Sequence, residues 1–268
     1  QVFPTVKFIF NEKNLGYGSA NNQGINISDG KFVLILNNDI IFVENTLKIL
    51  IDYLVKKDEK ILIAPKLLNQ DGSVQHSVYS FQSLWLSFTT YFFLYALFPK
   101  SKYFNRYYLM NRGIDEITEV EIITGALMLF KKDDLGALNG CDEDYFFDGE
   151  DNDLCKRFRD NGGKIIYYPH SSVIHLKGAT EKTNWFHEKN HTLSVLTMFR
   201  KHYSLPKRIL AIFLLFIGNI LRSLLLLLSY FFKSEKKYIS ESKLKLKTLL
   251  VIIYETLLRN KKKTDYLF

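Results

Sequence analysis

Two amides and a carboxylate, Asn37, Asn38 and Asp39, follow the apolar run Phe32 to Leu36 and precede Ile40 and Ile41. An unbroken apolar run of that length predicts a buried strand. The polar trio then stands at the carboxyl end of the strand, where open α/β sheets gather their ligand-binding loops. An acid beside amides suits a divalent cation such as Mg²⁺ or Mn²⁺ and a diphosphate bridged to it, because hard cations prefer oxygen ligands. The same residue types also cap helices and build turns. By themselves the three residues leave both roles open.

A second cluster lies in "YFFDGEDNDLCKRFRDNGG". Asp148 or Gly149 starts a helix that Gly162 and Gly163 end, with Leu154, Cys155 and Phe158 as its apolar stripe. Glu150 and Asp153 are accounted for as acids that complement the N-terminal dipole of that helix. Asp151 precedes Leu154 and Cys155 by one turn and so projects from the buried face. An acid there is a candidate general base. His175, in "VIHLKG", follows a strand at Lys164 to Tyr168 and Pro169; a lone histidine is more often structural than a ligand, so its role depends on its neighbours. The loop "NLGYGSANNQG" carries Gly16, Gly18 and Gly24, permits tight backbone turns and opens a helix at Ser19. It matches a phosphate cradle only loosely, and serves equally as a plain strand-to-helix turn.

These residues need a scaffold. Val6 to Phe10 reads as a short strand, followed by a helix ending near Asp29 and the strand Phe32 to Leu36. Between Glu44 and Lys57, the residues Leu47, Leu50, Ile51, Leu54 and Val55 recur at helical spacing. Strands follow at Ile61 to Ala64 and Val120 to Phe130. "LWLSFTTYFFLYALF", Leu84 to Phe98, is too short to span a bilayer and fits a core helix or an interfacial patch. Strands alternating with helices, with continuous apolar runs in the strands, predict an α/β fold with a mostly parallel central sheet.

The chain has 268 residues, 47% hydrophobic and 15% aromatic, which excludes general disorder and supports a sizeable core. It begins at Gln1 in what reads as a connection entering a strand, so an upstream piece of the fold is expected to be missing. Two cysteines, Cys141 and Cys155, support neither a disulfide framework nor a thiolate metal site, and fit a reducing, cytosolic setting. The formal charge of +8 thickens toward the C-terminus among leucines ("KSEKK", "SKLKLK", "RNKKK"), a pattern that favours an anionic membrane surface over nucleic acid. Composition changes between Tyr203 and Pro206, dividing the chain into a domain over 1–203 and membrane-associating helices over 204–268. Ile209 to Phe232 is long enough to cross a bilayer. Asn219, Arg222 and Ser229 fall near one helical face, however, and basic residues flank both ends. The expectation is therefore interfacial or re-entrant attachment at the cytoplasmic face of the membrane.

The blocks "NLGYGSANNQGI…GKFVLILNNDI…APKLLNQDGSVQHS…ITGALMLFKKDDLGALNGCDEDYFFDGEDNDLCKRFRDNGGKIIYYPHSSVIH" resemble, in one order from about Val2 to His175, the family 2 glycosyltransferases, in particular their bacterial rhamnosyltransferase-like branch. The resemblance implies a nucleotide-diphospho-sugar transferase fold and a divalent metal, Mg²⁺ or Mn²⁺. It also implies inverting single-displacement transfer from a nucleotide-sugar donor to a saccharide or lipid-linked acceptor, in cell-surface polysaccharide synthesis. Asp39 matches the last acid of the family's Asp-x-Asp metal signature, with Asn37 where the first acid would be and Asn38 between them. His175 matches a histidine that completes the metal site in some relatives. Asp151 matches the acid of the Glu-Asp pair taken as base, and Glu150 is its neighbour. Gly125 and Ala126 match a strand lining the sugar pocket, and Asn14, Gly16, Gly18 and Asn22 a loop beside the donor.

Other readings meet obstacles or need separate tests. A phosphohydrolase of the aspartyl-nucleophile type would need an acid where Asn37 stands. A nucleotidyltransferase shares the metal and diphosphate chemistry without requiring the Glu-Asp helix. A membrane-associated, non-catalytic scaffold with a sugar-nucleotide fold would hydrolyse no donor.

Overall fold

The computed structural model describes residue 3 and residues 5–105, 114–176 and 184–257. The chain divides into two compact units, one from 1–79 and 111–179, the other from 80–110 and 180–268. The compositional change near 204 therefore differs from the structural division, because 80–110 and the helix before residue 203 group with the C-terminal helices.

The first unit is built on a sheet with strand order β1-β7-β3-β8-β2, and β5 also pairs with β8. The strands are β1 (Phe32–Leu36), β2 (Ile40–Phe42), β3 (Ile61–Leu68), β4 (Val78–Tyr79), β5 (Thr118–Glu119), β6 (Ile122–Ile123), β7 (Leu127–Lys131) and β8 (Lys164–His175). Among the described residues only β3 and β8 pair in parallel; β7 runs antiparallel between β1 and β3, and β2 antiparallel beside β8. The sheet is thus mixed rather than mostly parallel. Leu127 to Phe130 are buried in succession, and such a run reads the same whichever way the strand points.

Around the sheet lie α1 (Tyr17–Ile27) and α2 (Thr46–Val55). Leu50 and Leu54 of α2 cluster with Ile63, Leu129, Ile166 and Val173. Burying each such side chain stabilises the fold by roughly 1.5–3 kcal/mol.

Two expected strands take other forms. Val6 to Phe10 is irregular, with Phe8 and Phe10 59% and 89% exposed; no described strand pairs with it, and an unpaired strand is not stable. The run Val120 to Phe130 is interrupted at 124–126, because β6 pairs with β4 in a small second sheet whereas β7 joins the main one. Beyond β7 come the short α3 turn-helix Lys132–Leu135 and α4 (Glu150–Asp160).

The second unit is helical. It contains α5 (Leu84–Tyr91), α6 (Leu94–Leu97), α7 (Asn184–His202), α8 (Leu205–Lys233) and α9 (Lys236–Leu257). Tyr91, Val195, Phe199, Ala211, Leu215 and Ile252 form its core. The buried face of α8 includes the polar Asn219 and Ser223, and Ser223 Oγ lies 2.8 Å from Ser242 Oγ. Arg222 donates to Thr90 O at 2.5 Å, and its guanidinium lies 5.2 and 4.8 Å from the rings of Tyr91 and Phe93. Outward, Ile209, Phe213, Leu224, Leu228, Phe231 and Phe232 are exposed. Among the described residues α8 alone is long and apolar enough to cross a membrane. The basic run "RNKKK" lies outside the described residues.

Candidate active site

The polar exit of β1 is held from three sides within the first unit. Asn37 N donates to Ala126 O at 2.9 Å, which ties the end of β1 to the break before β7. Ile40 of β2 stands opposite His175 of β8, and Leu176 N donates to Asp39 O at 3.0 Å. Asp39 Oδ1 therefore lies 3.2 Å from His175 Nε2, although 135 residues of chain separate them in between.

Gln75 sets the histidine tautomer. Its Nε2 donates to Asn69 Oδ1 at 2.9 Å and to His175 O at 3.1 Å, so its Oε1 is the atom 2.6 Å from His175 Nδ1. An amide oxygen only accepts, so Nδ1 carries the proton. In the neutral ring, the Nε2 lone pair then faces the Asp39 carboxylate, with Asn37 Nδ2 at 3.4 Å. A proton on Nε2 bridges such a pair, and so does a bound cation. Cis ligands of an octahedral ion with bonds of about 2.0–2.1 Å are roughly 3 Å apart, so Asp39 and His175 fit as a two-residue holder. Among the described residues no group of three or more His, Cys, Asp and Glu forms a metal cage.

The other half of the site sits at the start of α4. Asp151 Oδ2 accepts from Gly125 N at 2.9 Å and Oδ1 from Asn152 N at 2.7 Å. Burial raises the Asp151 carboxyl above the ordinary range, the negative charge of Asp148 adds to it, and the backbone donors oppose it. Burial, then the charge of Asp151, raises Glu150 as well. Glu150 is 7% exposed and its Oε2 lacks a hydrogen-bond partner. Asp153 is fully buried and pairs with Arg157, which also donates to Leu138 O and Gly140 O. Glu150 and Asp153 stand in the first turn of α4, where acids complement the helix dipole, but both are buried instead of facing solvent.

Tyr17 joins the halves. Its hydroxyl lies 2.7 Å from Gly125 O and 3.0 Å from Asn37 Oδ1, both acceptors that share its one proton. Burial pushes this phenol upward, so it remains protonated. A continuous line of polar contacts runs from Asp151 through Gly125, Tyr17 and Asn37 to His175 and Asp39. Two glycines make that line possible. Gly16 has φ +89°, and a Cβ there would run into the Phe146 carbonyl; a Cβ on Gly125 would stand 3.3 Å from the Tyr17 ring and 3.6 Å from Asp151 Cβ.

The remaining predicted residues divide. Ala126 is buried beside Asn37, and exposed Asn14 accepts from Gly16 N at 2.9 Å to shape the loop. Asn38 is exposed at the strand exit. Gly18 packs within the fold, where a Cβ would lie 3.2 Å from Cys141 Cβ. Asn22 stands apart from the line: buried, it donates to Cys141 O and accepts from Cys141 N, clamping that loop. Tyr17 and Gln75 were missed by sequence reasoning. Both lie in the quoted motif blocks, but only their contacts with residues 20 to 108 positions away reveal a role.

Residues 1–197 match the model of the family described as "Glycosyltransferase like family 2". The chain belongs to this family. Over 190 residues this glycosyltransferase-like chain is 26% identical to the N-acetylglucosaminyl-diphospho-decaprenol L-rhamnosyltransferase of Mycobacterium tuberculosis strain CDC 1551 / Oshkosh. It is equally similar to the protein of strain ATCC 25618 / H37Rv. The match covers 66% of this chain and spans 61% of the length of these relatives. Among solved structures it is similar to GalNAc-T7 with UDP, GalNAc and Mn²⁺ (14% identity, TM-score 0.44, 71% of this chain and 36% of the other). A mannosyltransferase, PcManGT from Pyrobaculum calidifontis in complex with GDP-Man and Mn²⁺, is likewise similar (14% identity, TM-score 0.45, 92% and 68%).

Proposed function

We propose that the protein transfers a sugar from a nucleotide-diphospho-sugar to a saccharide or lipid-linked acceptor with inversion at the anomeric carbon, in the synthesis of a cell-surface polysaccharide. The observation that carries this reading is the polar line joining Asp39 and His175 to Asp151 in a family 2 glycosyltransferase-like chain. Asp39 and His175 would hold a divalent cation, which when bound supplies positive charge against the departing nucleoside diphosphate. Asp151 accepts the proton of the acceptor hydroxyl as that oxygen attacks the anomeric carbon. Its two backbone donors hold the carboxylate in place, and Tyr17 keeps the Gly125 turn in register with Asn37. The Gly16 loop and Gly125–Ala126 border the donor.

The exposed apolar face of α8 supports a second element of the proposal: the helical unit embeds in the cytoplasmic leaflet, near a lipid-linked acceptor. Arg222 does not oppose this attachment, because its charge is directed into the protein onto Thr90 O.

The activity is tested by nucleoside diphosphate release from a panel of nucleotide sugars in Mn²⁺ or Mg²⁺. Asp39→Ala is expected to abolish turnover with the fold retained, and chelation to do the same to the parent protein. Full turnover by Asp39→Ala, or in excess chelator, removes the cation from the mechanism.

A further inference from the structure

Between β3 and β4 the chain turns through "NQDGSVQ", residues 69–75. Gly72 takes φ +80° in this turn, its N donates to Asn69 O at 3.0 Å, and Asn69 N donates to Ser73 O at 2.8 Å. Gln75 N then donates to Leu67 O at 2.8 Å, so the turn returns a buried amide to the sheet beside His175. A glutamine that is 2% exposed needs partners for its polar atoms, because a buried amide left unpaired costs free energy. Gln75 has them, and they run in one direction only.

That direction is fixed from both ends. At the buried end, the two amide hydrogens of Gln75 go to His175 O at 3.1 Å and to Asn69 Oδ1 at 2.9 Å. A backbone carbonyl only accepts, so the amide cannot be turned over, and its Oε1 is left 2.6 Å from His175 Nδ1. At the exposed end, Asp71 Oδ1 accepts from Ser73 Oγ at 2.6 Å and from Ser73 N at 2.9 Å. These bonds, the hydroxyl first, hold the Asp71 carboxyl below its ordinary range, so at neutral pH it only accepts. Ser73 commits its one hydroxyl proton there, and its lone pair receives Asn69 Nδ2–H at 2.9 Å, which turns Asn69 Oδ1 toward Gln75. Every donor thus points from His175 toward Asp71, through Gln75, Asn69 and Ser73. Hydrogen bonds aligned head to tail polarise one another, and an acceptor on the distal nitrogen of a ligating histidine orients the ring and raises its basicity.

We propose that Asp71, Ser73, Asn69 and Gln75 form a positioning relay that keeps a proton on His175 Nδ1 and turns Nε2 to Asp39, where the two can share a cation. The use of the relay in sugar transfer rests on the proposed cation holder at Asp39 and His175; the orientation of the ring does not.

The test has two readouts, both on the full chain without donor. The first is the tautomer of the neutral His175 ring, read by nitrogen NMR above the imidazole titration range in Asp39→Ala, which takes away the carboxylate that competes for a proton on Nε2. The ring should be the Nδ1–H form. Adding Gln75→Met, which removes the acceptor, should let the Nε2–H form appear, and adding Ser73→Ala should shift the ring part of the way. The second readout is calorimetric binding of Mn²⁺ alone with Asp39 in place. Gln75→Met should weaken it about 10- to 100-fold, the cost of losing such an outer partner. Ser73→Ala, at an exposed turn position, should weaken it about two- to threefold, since it cuts the far end of a polarised series. Gln70→Ala in the same turn should change neither readout. An Nε2–H ring in Asp39→Ala overturns the proposal. Tautomer and affinity both unchanged by Ser73→Ala overturn the relay too, whether or not Gln75→Met folds. An Nδ1–H ring in a protein that binds no Mn²⁺ would overturn the cation reading and leave the relay in place.

Discussion

The two compact units place their polar groups by opposite rules. In the sheet unit the buried core is largely apolar, with Phe130 and Phe158 among its fully buried side chains, and acids, amides and a histidine gather at the exit of β1, the 124–126 break and the start of α4. In the helical unit Asn219, Ser223, Ser242 and Thr248 are buried between helices, whereas Ile209, Phe213, Leu228 and Phe231 face outward. The first pattern is that of a domain in water; the exposed apolar residues of the second are the feature on which the proposed leaflet attachment rests. Buried polar groups of the first unit either join the candidate site, as Asp151 and Gln75 do, or clamp the fold, as Asn22 and the Asp153–Arg157 pair do; in the second unit buried groups such as Ser223 and Ser242 meet between helices. Arg222, which reads in the sequence as an obstacle to membrane attachment, belongs to that second class.

The sharpest break in the comparison is expected at Asp151. Asp151→Asn keeps the size and capping capacity of the side chain but removes the proton acceptor, and positioned bases contribute about 10²–10⁴ in rate. The turnover of sugar transfer should fall by that much with donor affinity retained. In the parent protein, the raised carboxyl makes turnover drop as pH falls toward the carboxylate range, because the base is lost on protonation. Asp148→Asn removes a neighbouring negative charge and should move that limb to lower pH, a shift that pH–rate profiles measure.

Next in size is the apolar face. Phe231→Asn should weaken vesicle binding by about tenfold or more, since a buried aromatic contributes roughly 1.5–3 kcal/mol, while leaving the melting temperature in solution unchanged. Equal binding by parent and variant would remove α8 from the membrane.

Tyr17→Phe should lower transfer by about five- to tenfold, the equivalent of one neutral hydrogen bond. The loss should appear in turnover rather than in KM, because the hydroxyl positions Gly125 and Asn37.

The smallest effect is on stability. The Glu150 carboxyl is raised in the folded state, so its contribution is fully present below the ordinary carboxylate pKa and is lost as pH rises through the raised value. Glu150→Gln should melt above the parent at pH 9, with the gap closing toward pH 5.

What could be read before folding follows from the range of the interactions. The apolar run of β1, its polar exit and the α4 helix with Asp151 are local patterns and stand where expected. The antiparallel insertion of β7, the burial of Glu150 and Asp153, and the grouping of 80–110 with the C-terminal helices depend on partners far along the chain. Tyr17 and Gln75 illustrate the same limit: neither residue type signals a role until Gly125, Asn37 and His175 are beside it.

Asp39, His175 and Asp151 are proposed to serve one single-displacement centre. The most direct test is the anomeric configuration of the newly formed glycosidic bond, read by NMR on product made with an active nucleotide sugar. Single displacement gives inversion relative to the donor; retention would contradict it.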